Sequence, residues 1–117
     1  MVQRDVRDYL QDILHYIATA ERLIDDMTFE EFEEDEKTVL ALTRAVEIVG
    51  EAAKQIPMSL REQYPAVSWK QLVGMRDRLA HAYFSIDLDI LWNAAQHVLP
   101  TFTPTIQTML EQIDKDT

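Results

Sequence analysis

Apolar residues recur every three or four positions through most of this chain, and this spacing limits its fold more than any other feature. The first run keeps the spacing for about six helical turns. It comprises Val6, Tyr9, Leu10, Ile13, Tyr16, Ile17, Ala20, Leu23, Ile24 and Met27. Such spacing places the apolar side chains along one face of an amphipathic helix. Because no segment alternates polar and apolar residues as a strand would, the pattern predicts an all-α protein.

The same spacing predicts three more main helices. The second is expected to end at Pro57, which cannot continue a helix, and its stripe is Val39, Leu42, Val46, Val49, Ala53 and Ile56. The third runs towards His81 and carries Trp69, Leu72, Val73, Met75 and Leu79. The stripe of the fourth is Leu88, Leu91, Trp92, Ala95, Val98 and Leu99. Pro100 and Pro104 then predict a kink or a new helical start, followed by Ile106, Met109, Leu110 and Ile113.

Short polar motifs predict where helices begin. Thr28–Glu31 and Ser59–Glu62 have the Ser/Thr-x-x-Glu form of a capping box, and Ser68–Gln71 has the related form that ends in glutamine. Asp87 is placed to cap the fourth main helix. We therefore expect a short helix or turn after Thr28, another after Ser59, and the third main helix after Ser68.

Length and composition agree with one folded domain. The chain has 117 residues, of which 47% are hydrophobic, and this favours a single domain over residues 1–117. Its predicted architecture is an up-down bundle of four to five helices. The absence of cysteine excludes disulfides and a thiolate nucleophile, and two glycines are too few for a glycine-rich phosphate loop. No apolar run approaches ~18 residues and no signal peptide is visible, so we expect a cytoplasmic protein without membrane attachment.

The net charge of −10 argues against strong binding of nucleic acid, whose phosphates are bound through lysine and arginine. The charge is uneven, however. Residues 25–36 contain eight acids and no base, so the rest of the chain carries only −2. Between Arg61 and His81, four bases outnumber two acids. An acidic surface and a mildly basic site are therefore compatible on one small domain. The acidic stretch is either a solvated face or a docking surface.

Three residues near the end of the third helix are suited to chemistry: Arg76, His81 and Tyr83. Arginine grips a phosphate with a permanently charged fork, and histidine can take a proton from a ribose 2′-hydroxyl or give one to the leaving oxygen. Together they could cleave RNA without a metal or cofactor. Arg76 and His81 alone also fit an ordinary surface arginine and a helix-end histidine.

The spacing of Arg76 and His81 bears on the oligomeric state. Five positions correspond to roughly 140° around a straight helix. Both side chains can point into one cleft only if the helix ends near His81 or if a second copy supplies the partner. A two-fold homodimer would bring two arginines and two histidines together. The spacing therefore favours a homodimer with twinned sites.

The neighbouring residues each have alternative roles. Asp77 either supports the site, by orienting His81 or the RNA sugar, or is a solvated aspartate on the helix surface. Tyr83 can stack on a base, accept a modifying group or lie half-buried. Ion pairing is the simplest role for Arg44, Glu47 and Glu51, and orientation of the active site is the alternative. We expect Gly50 to permit close helix packing. We expect no metal at the two other histidines, His15 and His97, which have no partner at ligand spacing.

The sequence Gly-Met-Arg-Asp-Arg-Leu-Ala-His-Ala-Tyr-Phe-Ser-Ile-Asp at residues 74–87 resembles the signature of the HepT-like toxins, HEPN-fold ribonucleases of prokaryotic toxin–antitoxin pairs. Their motif is an arginine, four residues, a histidine, one residue and a tyrosine, and Arg76, His81 and Tyr83 fill all three positions. The residue after the arginine is often asparagine, for which Asp77 is a variant. Further landmarks extend the resemblance over nearly the whole chain: Met27–Phe32, Asp35–Thr38, Arg44–Lys54 and Tyr64–Trp69.

This resemblance implies a helical-bundle homodimer whose paired motifs line an RNA-cleaving cleft, with no metal or cofactor. Arg76 and His81 would be catalytic, with Asp77 in support. The usual partner of the family is a small MntA-like nucleotidyltransferase antitoxin, which inactivates the toxin by AMPylation of the motif tyrosine, here Tyr83. The resemblance therefore predicts the toxin of a type VII-like toxin–antitoxin pair, acting as a metal-independent endoribonuclease.

Two other interpretations stay open. In the first, the chain is a non-catalytic helical module that binds and stabilises a nucleotidyltransferase, and the negative charge favours this alternative. In the second, it is an acidic bundle protein in which the motif only packs. Absence of RNA cleavage would favour the first, whereas an AMP group on Tyr83 would exclude the second.

Overall fold

The computed structural model describes residues 4–81 and 87–116, with only the backbone of Ala80 and His81. Throughout this part of the chain the regular elements are helical: α1 (Val6–Ile24), α2 (Phe29–Glu34), α3 (Glu36–Lys54), α4 (Met58–Arg61), α5 (Trp69–His81), α6 (Leu88–Asn93) and α7 (Thr103–Lys115). A π-helical segment (Ala94–Val98) and a 3-10 turn (Leu99–Phe102) join α6 to α7. The prediction of an all-α, HEPN-like bundle is confirmed. None of the described helices is long and apolar enough to span a membrane.

Helix α3 lies at the centre of the bundle. It packs against α1 and α5, while α7 packs on α1. The buried side chains of the described residues are all apolar, and the largest of them include Leu10, Ile13, Ile17, Phe32, Leu42, Ile56, Leu72, Leu91, Leu99, Ile106 and Met109. These positions follow the predicted stripes, because one face of each amphipathic helix is withdrawn from water. Among the described residues, every charged or polar side chain is therefore at least partly exposed.

Side-chain caps set the starts of several helices. The amide of Glu31 donates to the Thr28 hydroxyl at 3.2 Å and the amide of Thr28 donates to the Glu31 carboxylate at 2.9 Å, which confirms the predicted capping box of α2. Asp87 accepts from the amide of Ile90 at 3.2 Å and caps α6 as predicted. Helix α5 begins directly after Ser68, whose backbone carbonyl accepts from the amide of Leu72. The side chains of Thr28 and Asp87 thus satisfy amide groups that the starts of α2 and α6 leave without a helical partner.

The predicted capping box at Ser59–Glu62 is wrong. Helix α4 begins at Met58, so Ser59 lies inside it, and the capping position is held by Pro57, which has no side-chain acceptor. The fixed φ of proline suits the start of a helix, and here it starts α4 one residue before the serine. Pro57 also does not end α3 directly, because α3 ends at Lys54.

Arg61 of α4 caps the end of α3. Its Nε donates to the carbonyl of Ile56 at 2.8 Å, and its Nη2 donates to the carbonyl of Lys54 at 2.9 Å. Both carbonyls lie in or just beyond the last turn of α3, where backbone acceptors have no partner within the helix. Arg61 is one of the four bases between residues 61 and 81. Its guanidinium nevertheless stabilises the fold, because it donates hydrogen bonds to the end of α3.

The expected break near Pro100 is confirmed. It takes the form of the π-helical segment, followed by the 3-10 turn with Pro100 as its second residue. Pro104 is the second residue of α7, where the missing amide needs no helical partner.

Two tryptophans anchor the helices on either side of the motif segment. Trp69 is buried at the start of α5, and its indole N–H donates to the carbonyl of Tyr64 at 3.0 Å. Trp92 of α6 is partly buried, and its ring lies 5.8 Å from Phe29 and 5.2 Å from Phe32 of α2. Both tryptophans act as core anchors, as predicted.

Candidate active site

Arg76 lies on the side of α5 that packs against α3. Its side chain is 29% exposed, so it is shielded on one side and accessible on the other. Its Nη1 donates to Asp77 Oδ1 at 3.0 Å, and its Nε lies 3.9 Å from Glu51 Oε1. The Nε atom is itself withdrawn from solvent and makes no hydrogen bond with the described residues. Arg76 is therefore a charged group held between two carboxylates at a helix contact.

Gly50 allows α3 and α5 to approach each other at this point. A β-carbon at position 50 would lie 2.3 Å from Cβ of Arg76 and 2.7 Å from the carbonyl oxygen of Leu72. Contacts this short do not occur between real side chains, so any larger residue would push the helices apart. The prediction that Gly50 permits close helix packing is confirmed, and the helix against which it packs is the one that carries Arg76.

A row of charged side chains on α3 faces this contact. Arg44 Nη1 donates to Glu47 Oε1 at 2.9 Å and to Glu51 Oε1 at 3.4 Å. The hydrogen bond that Arg44 donates to Glu47, together with the charge of Glu51, raises the pKa of Arg44 above its usual value. The predicted ion pairing of these three residues is confirmed. The same Glu51 oxygen lies 3.9 Å from Nε of Arg76, so the row extends from α3 to α5.

Two open concave surfaces flank the row. One, between α1 and α3, has a volume of about 460 Å³ and is lined by Arg44 and Glu51 together with Tyr9 and Tyr16. The other, along α4 and α5, has a volume of about 780 Å³ and is lined largely by apolar side chains, with Asp77 among the polar ones.

The structure describes the predicted site residues to different extents. Arg76 and Asp77 are described in full and form an ion pair with each other. His81 is described as a backbone position in α5, five residues beyond Arg76 on the same helix. Tyr83 lies outside the described residues. The chemical roles assigned to these four residues from the sequence stay predictions.

From the sequence, ion pairing is the simplest role of Glu51 and orientation of the active site is the alternative, and the structure places Glu51 beside Arg76. The sequence carries a weak signal for it, because Gly50-Glu51 puts a glycine inside a helix directly before a carboxylate. A glycine in a helix interior costs stability unless packing requires it. What the sequence does not reveal is that the helix packed there is α5.

The other candidate residues stand apart from this row. Arg78 is exposed on α5, and His15 and His97 are exposed on other helices, as expected for residues in contact with solvent. Within the described ranges, no three histidine or acidic side chains come together as a metal site would require.

Comparison with known proteins gives the family. Residues 13–109 match the model of a family described as "Ribonuclease HepT-like". A protein of Thermococcus cleftensis named a probable ribonuclease HepT is 39% identical over 100 residues, which cover 86% of this chain and 91% of that protein. A protein of Methanocaldococcus jannaschii, whose name gives it as a candidate RNase, is 35% identical over 115 residues, or 98% of this chain and 99% of the relative. No solved structure matches. The chain therefore belongs to the HepT-like ribonuclease family.

Proposed function

We propose that this chain is the toxin of a type VII-like toxin–antitoxin pair and that it acts as a metal-independent endoribonuclease in the cytoplasm. The observation that carries the proposal is the placement of Arg76 in a member of a ribonuclease family. Its side chain is partly exposed, its Cβ lies at the close contact of α3 with α5, and it precedes His81 by five residues on the same helix.

The reaction is cleavage of a phosphodiester next to a ribose 2′-hydroxyl. One histidine takes the proton of this hydroxyl while its oxygen attacks the phosphorus, and a proton given to the leaving 5′-oxygen completes the break of the P–O bond. A cyclic phosphate remains on one fragment and a hydroxyl on the other. Negative charge grows on the phosphate oxygens during attack, and Arg76 stabilises it.

The proton transfers are the reason for proposing a homodimer. One step needs a base at the 2′-oxygen and an acid at the 5′-oxygen, and each chain contributes one motif histidine, His81. Because α5 is helical through His81, positions 76 and 81 diverge by roughly 140° around its axis. A two-fold pairing of α5 with its mate would supply the second histidine and a second Arg76.

The partner we propose is a small MntA-like nucleotidyltransferase antitoxin. The phenol oxygen of Tyr83 attacks the α-phosphorus of ATP, the Tyr83 proton is lost, and pyrophosphate leaves. Each AMP group adds a phosphate charge and a bulky base two residues from His81. Such a group would occupy the place of the substrate's phosphate and repel incoming RNA.

A second candidate function is supported by charge. The net charge of −10 and the eight acids of residues 25–36, most of them exposed, suit a non-catalytic module that binds and stabilises a basic nucleotidyltransferase. If this second function is the correct one, the chain should form a tight complex with the nucleotidyltransferase and should not cleave RNA by itself.

The test is cleavage of a mixed RNA pool by the purified full-length chain in EDTA. His81→Ala should abolish cleavage, and Arg76→Ala should lower it to a small residual rate. The matched controls are His97→Ala, which removes an exposed histidine, and Arg78→Ala, which removes an exposed arginine of α5. Both should leave cleavage intact. Activity that survives in the His81→Ala protein would defeat the assignment, and an inactive wild-type chain would favour the non-catalytic candidate.

The antitoxin step has its own test. The chain is incubated with ATP and the nucleotidyltransferase with which it is paired, and its mass is measured. An added AMP mass should appear on the wild type and disappear in Tyr83→Phe, while Tyr64→Phe should still gain it. Addition of AMP at another residue would contradict the proposed role of Tyr83.

A further inference from the structure

Glu51 lies between two arginines of different helices. Its Oε1 is 3.4 Å from Nη1 of Arg44 on its own helix and 3.9 Å from Nε of Arg76 on α5. The glutamate is 41% exposed, and Arg76 is 29% exposed. At 3.9 Å, Glu51 and Arg76 form an ion pair and not a hydrogen bond. The Glu51 carboxylate is therefore close enough to orient the Arg76 guanidinium through its charge, although it accepts no hydrogen bond from it.

The Nε donor of Arg76 is where such orientation has most effect. This atom is withdrawn from water and has no hydrogen-bond acceptor among the described residues. A buried donor of a charged group is costly unless an opposite charge or an acceptor compensates it. Among the described residues, Glu51 and Asp77 are the carboxylates in ion-pair contact with Arg76, and only Glu51 approaches at Nε.

From this arrangement we propose that Glu51 is a positioning residue for Arg76: it holds the guanidinium from the α3 side so that the terminal nitrogens are presented to the phosphate of RNA. The inference rests on the proposed ribonuclease function. Glu51 does not contact the reacting atoms and acts through Arg76. Nothing in the sequence pattern separates this role from plain ion pairing with Arg44.

Gly50 and Arg44 restrain this arrangement from two sides. Because Gly50 has no side chain, its backbone meets Cβ of Arg76 directly, and this sets the distance from the next residue, Glu51, to the arginine. Arg44 holds the same Glu51 oxygen from the other side. A carboxylate that is already restrained loses less conformational entropy when it orients a partner.

The two carboxylates at Arg76 divide its nitrogens between them. Asp77 accepts from Nη1, and Glu51 lies by Nε. A phosphate that binds the terminal nitrogens therefore displaces Asp77, which is 49% exposed, and leaves Glu51 in place. An arginine that is held before the substrate arrives acts mainly on the chemical step, so loss of Glu51 should lower kcat more than it raises KM.

The kinetic test uses a short RNA oligonucleotide and four proteins: the wild type, Glu51→Ala, Glu51→Gln and the control Glu47→Ala. We expect Glu51→Ala to lower kcat by about tenfold with KM changed by less than about threefold, as for loss of preorganisation. Glu51→Gln keeps an acceptor oxygen and should recover part of kcat. Glu47→Ala removes the nearest partner of Arg44. Among the described residues Glu47 forms no ion pair with Arg76, so this change should leave kcat within about twofold.

A double-mutant cycle separates positioning from a general structural role. In an Arg76→Ala background, Glu51→Ala should cause no further loss of residual activity, because the group through which it acts is absent. Additive losses in the double mutant, or a Glu51→Ala enzyme with unchanged kcat, would overturn the inference.

A second readout does not depend on cleavage. In NMR spectra of ¹⁵N-labelled protein, the Nε–H signal of Arg76 is identified by its absence from Arg76→Lys. Its exchange with water should be slow in the wild type, faster in Glu51→Ala and unchanged in Glu47→Ala. Unaltered exchange in Glu51→Ala would overturn the inference even in an inactive protein. Conversely, faster exchange with no RNA cleavage by the wild type would reject the proposed function and leave the positioning contact standing.

Discussion

Gly50 and Arg76 meet so closely that a methyl group on the glycine would lie 2.3 Å from Cβ of the arginine. Gly50, which has no side chain, therefore lies directly against Arg76, the residue proposed to bind the phosphate of RNA. Because the contact is backbone against the stem of the side chain, its length is set by the packing of α3 on α5 and not by flexible atoms. The core of the bundle thereby sets the position of the Arg76 Cβ, from which the guanidinium extends.

The first prediction concerns the two glycines of the chain. Gly50→Ala should lower the free energy of unfolding by about 1–2 kcal/mol, because overpacking costs about 1–3 kcal/mol and alanine returns up to about 1 kcal/mol of helix propensity. Gly74→Ala is the matched control: its added methyl meets no atom within 4 Å, so the same propensity gain should stabilise the protein by about 0.5–1 kcal/mol. Urea unfolding measures both. Equal effects of the two changes would contradict the close contact at Gly50.

The second prediction concerns the start of α2. Thr28→Ala removes the acceptor of the Glu31 amide and should cost about 1 kcal/mol of stability. Thr28→Ser keeps the hydroxyl and should change stability by no more than a few tenths of a kcal/mol. Thermal or urea unfolding of the pair checks this. If Thr28→Ser and Thr28→Ala lower the stability equally, then the packing of the Thr28 methyl group stabilises the protein and the hydrogen bond of the cap does not.

The third prediction separates a structural arginine from a site arginine. Arg61→Ala removes two hydrogen bonds to the end of α3 and should lower the free energy of unfolding by about 1–2 kcal/mol. Lys70→Ala removes the same charge from an exposed position of α5 and should change stability by less than about 0.5 kcal/mol. Both should reduce kcat/KM for RNA to a similar, small extent, measured well below the unfolding temperature. A specific loss of RNA affinity in Arg61→Ala would place Arg61 in the binding surface.

The helices and their buried faces could be predicted from the sequence because a period near 3.6 leaves few alternatives. The start of α4 could not be predicted from the sequence, since Pro57 and Ser59 are both suited to precede a helix and only the backbone conformation decides between them. The packing role of Gly50 was predictable from its place inside a helix. The contact of Glu51 with Arg76 was not, because it depends on how α3 and α5 lie together, and periodicity within one helix carries no information about that.

The last prediction concerns Asp77, which accepts from Nη1 of Arg76 at 3.0 Å. Asp77→Asn keeps the shape and one oxygen but removes the charge that competes with a phosphate for this nitrogen. Exposed ion pairs contribute about 0.2–1 kcal/mol, so a non-cleavable 2′-O-methyl RNA should bind about 1.4- to fivefold more tightly. Asp89→Asn, an equal change of charge at an exposed position of α6, is the control for general electrostatics and should have a smaller effect. If Asp77 instead orients His81, then Asp77→Asn will lower kcat at an unchanged dissociation constant. Weaker binding of the RNA would contradict the view that Asp77 holds the place of the phosphate.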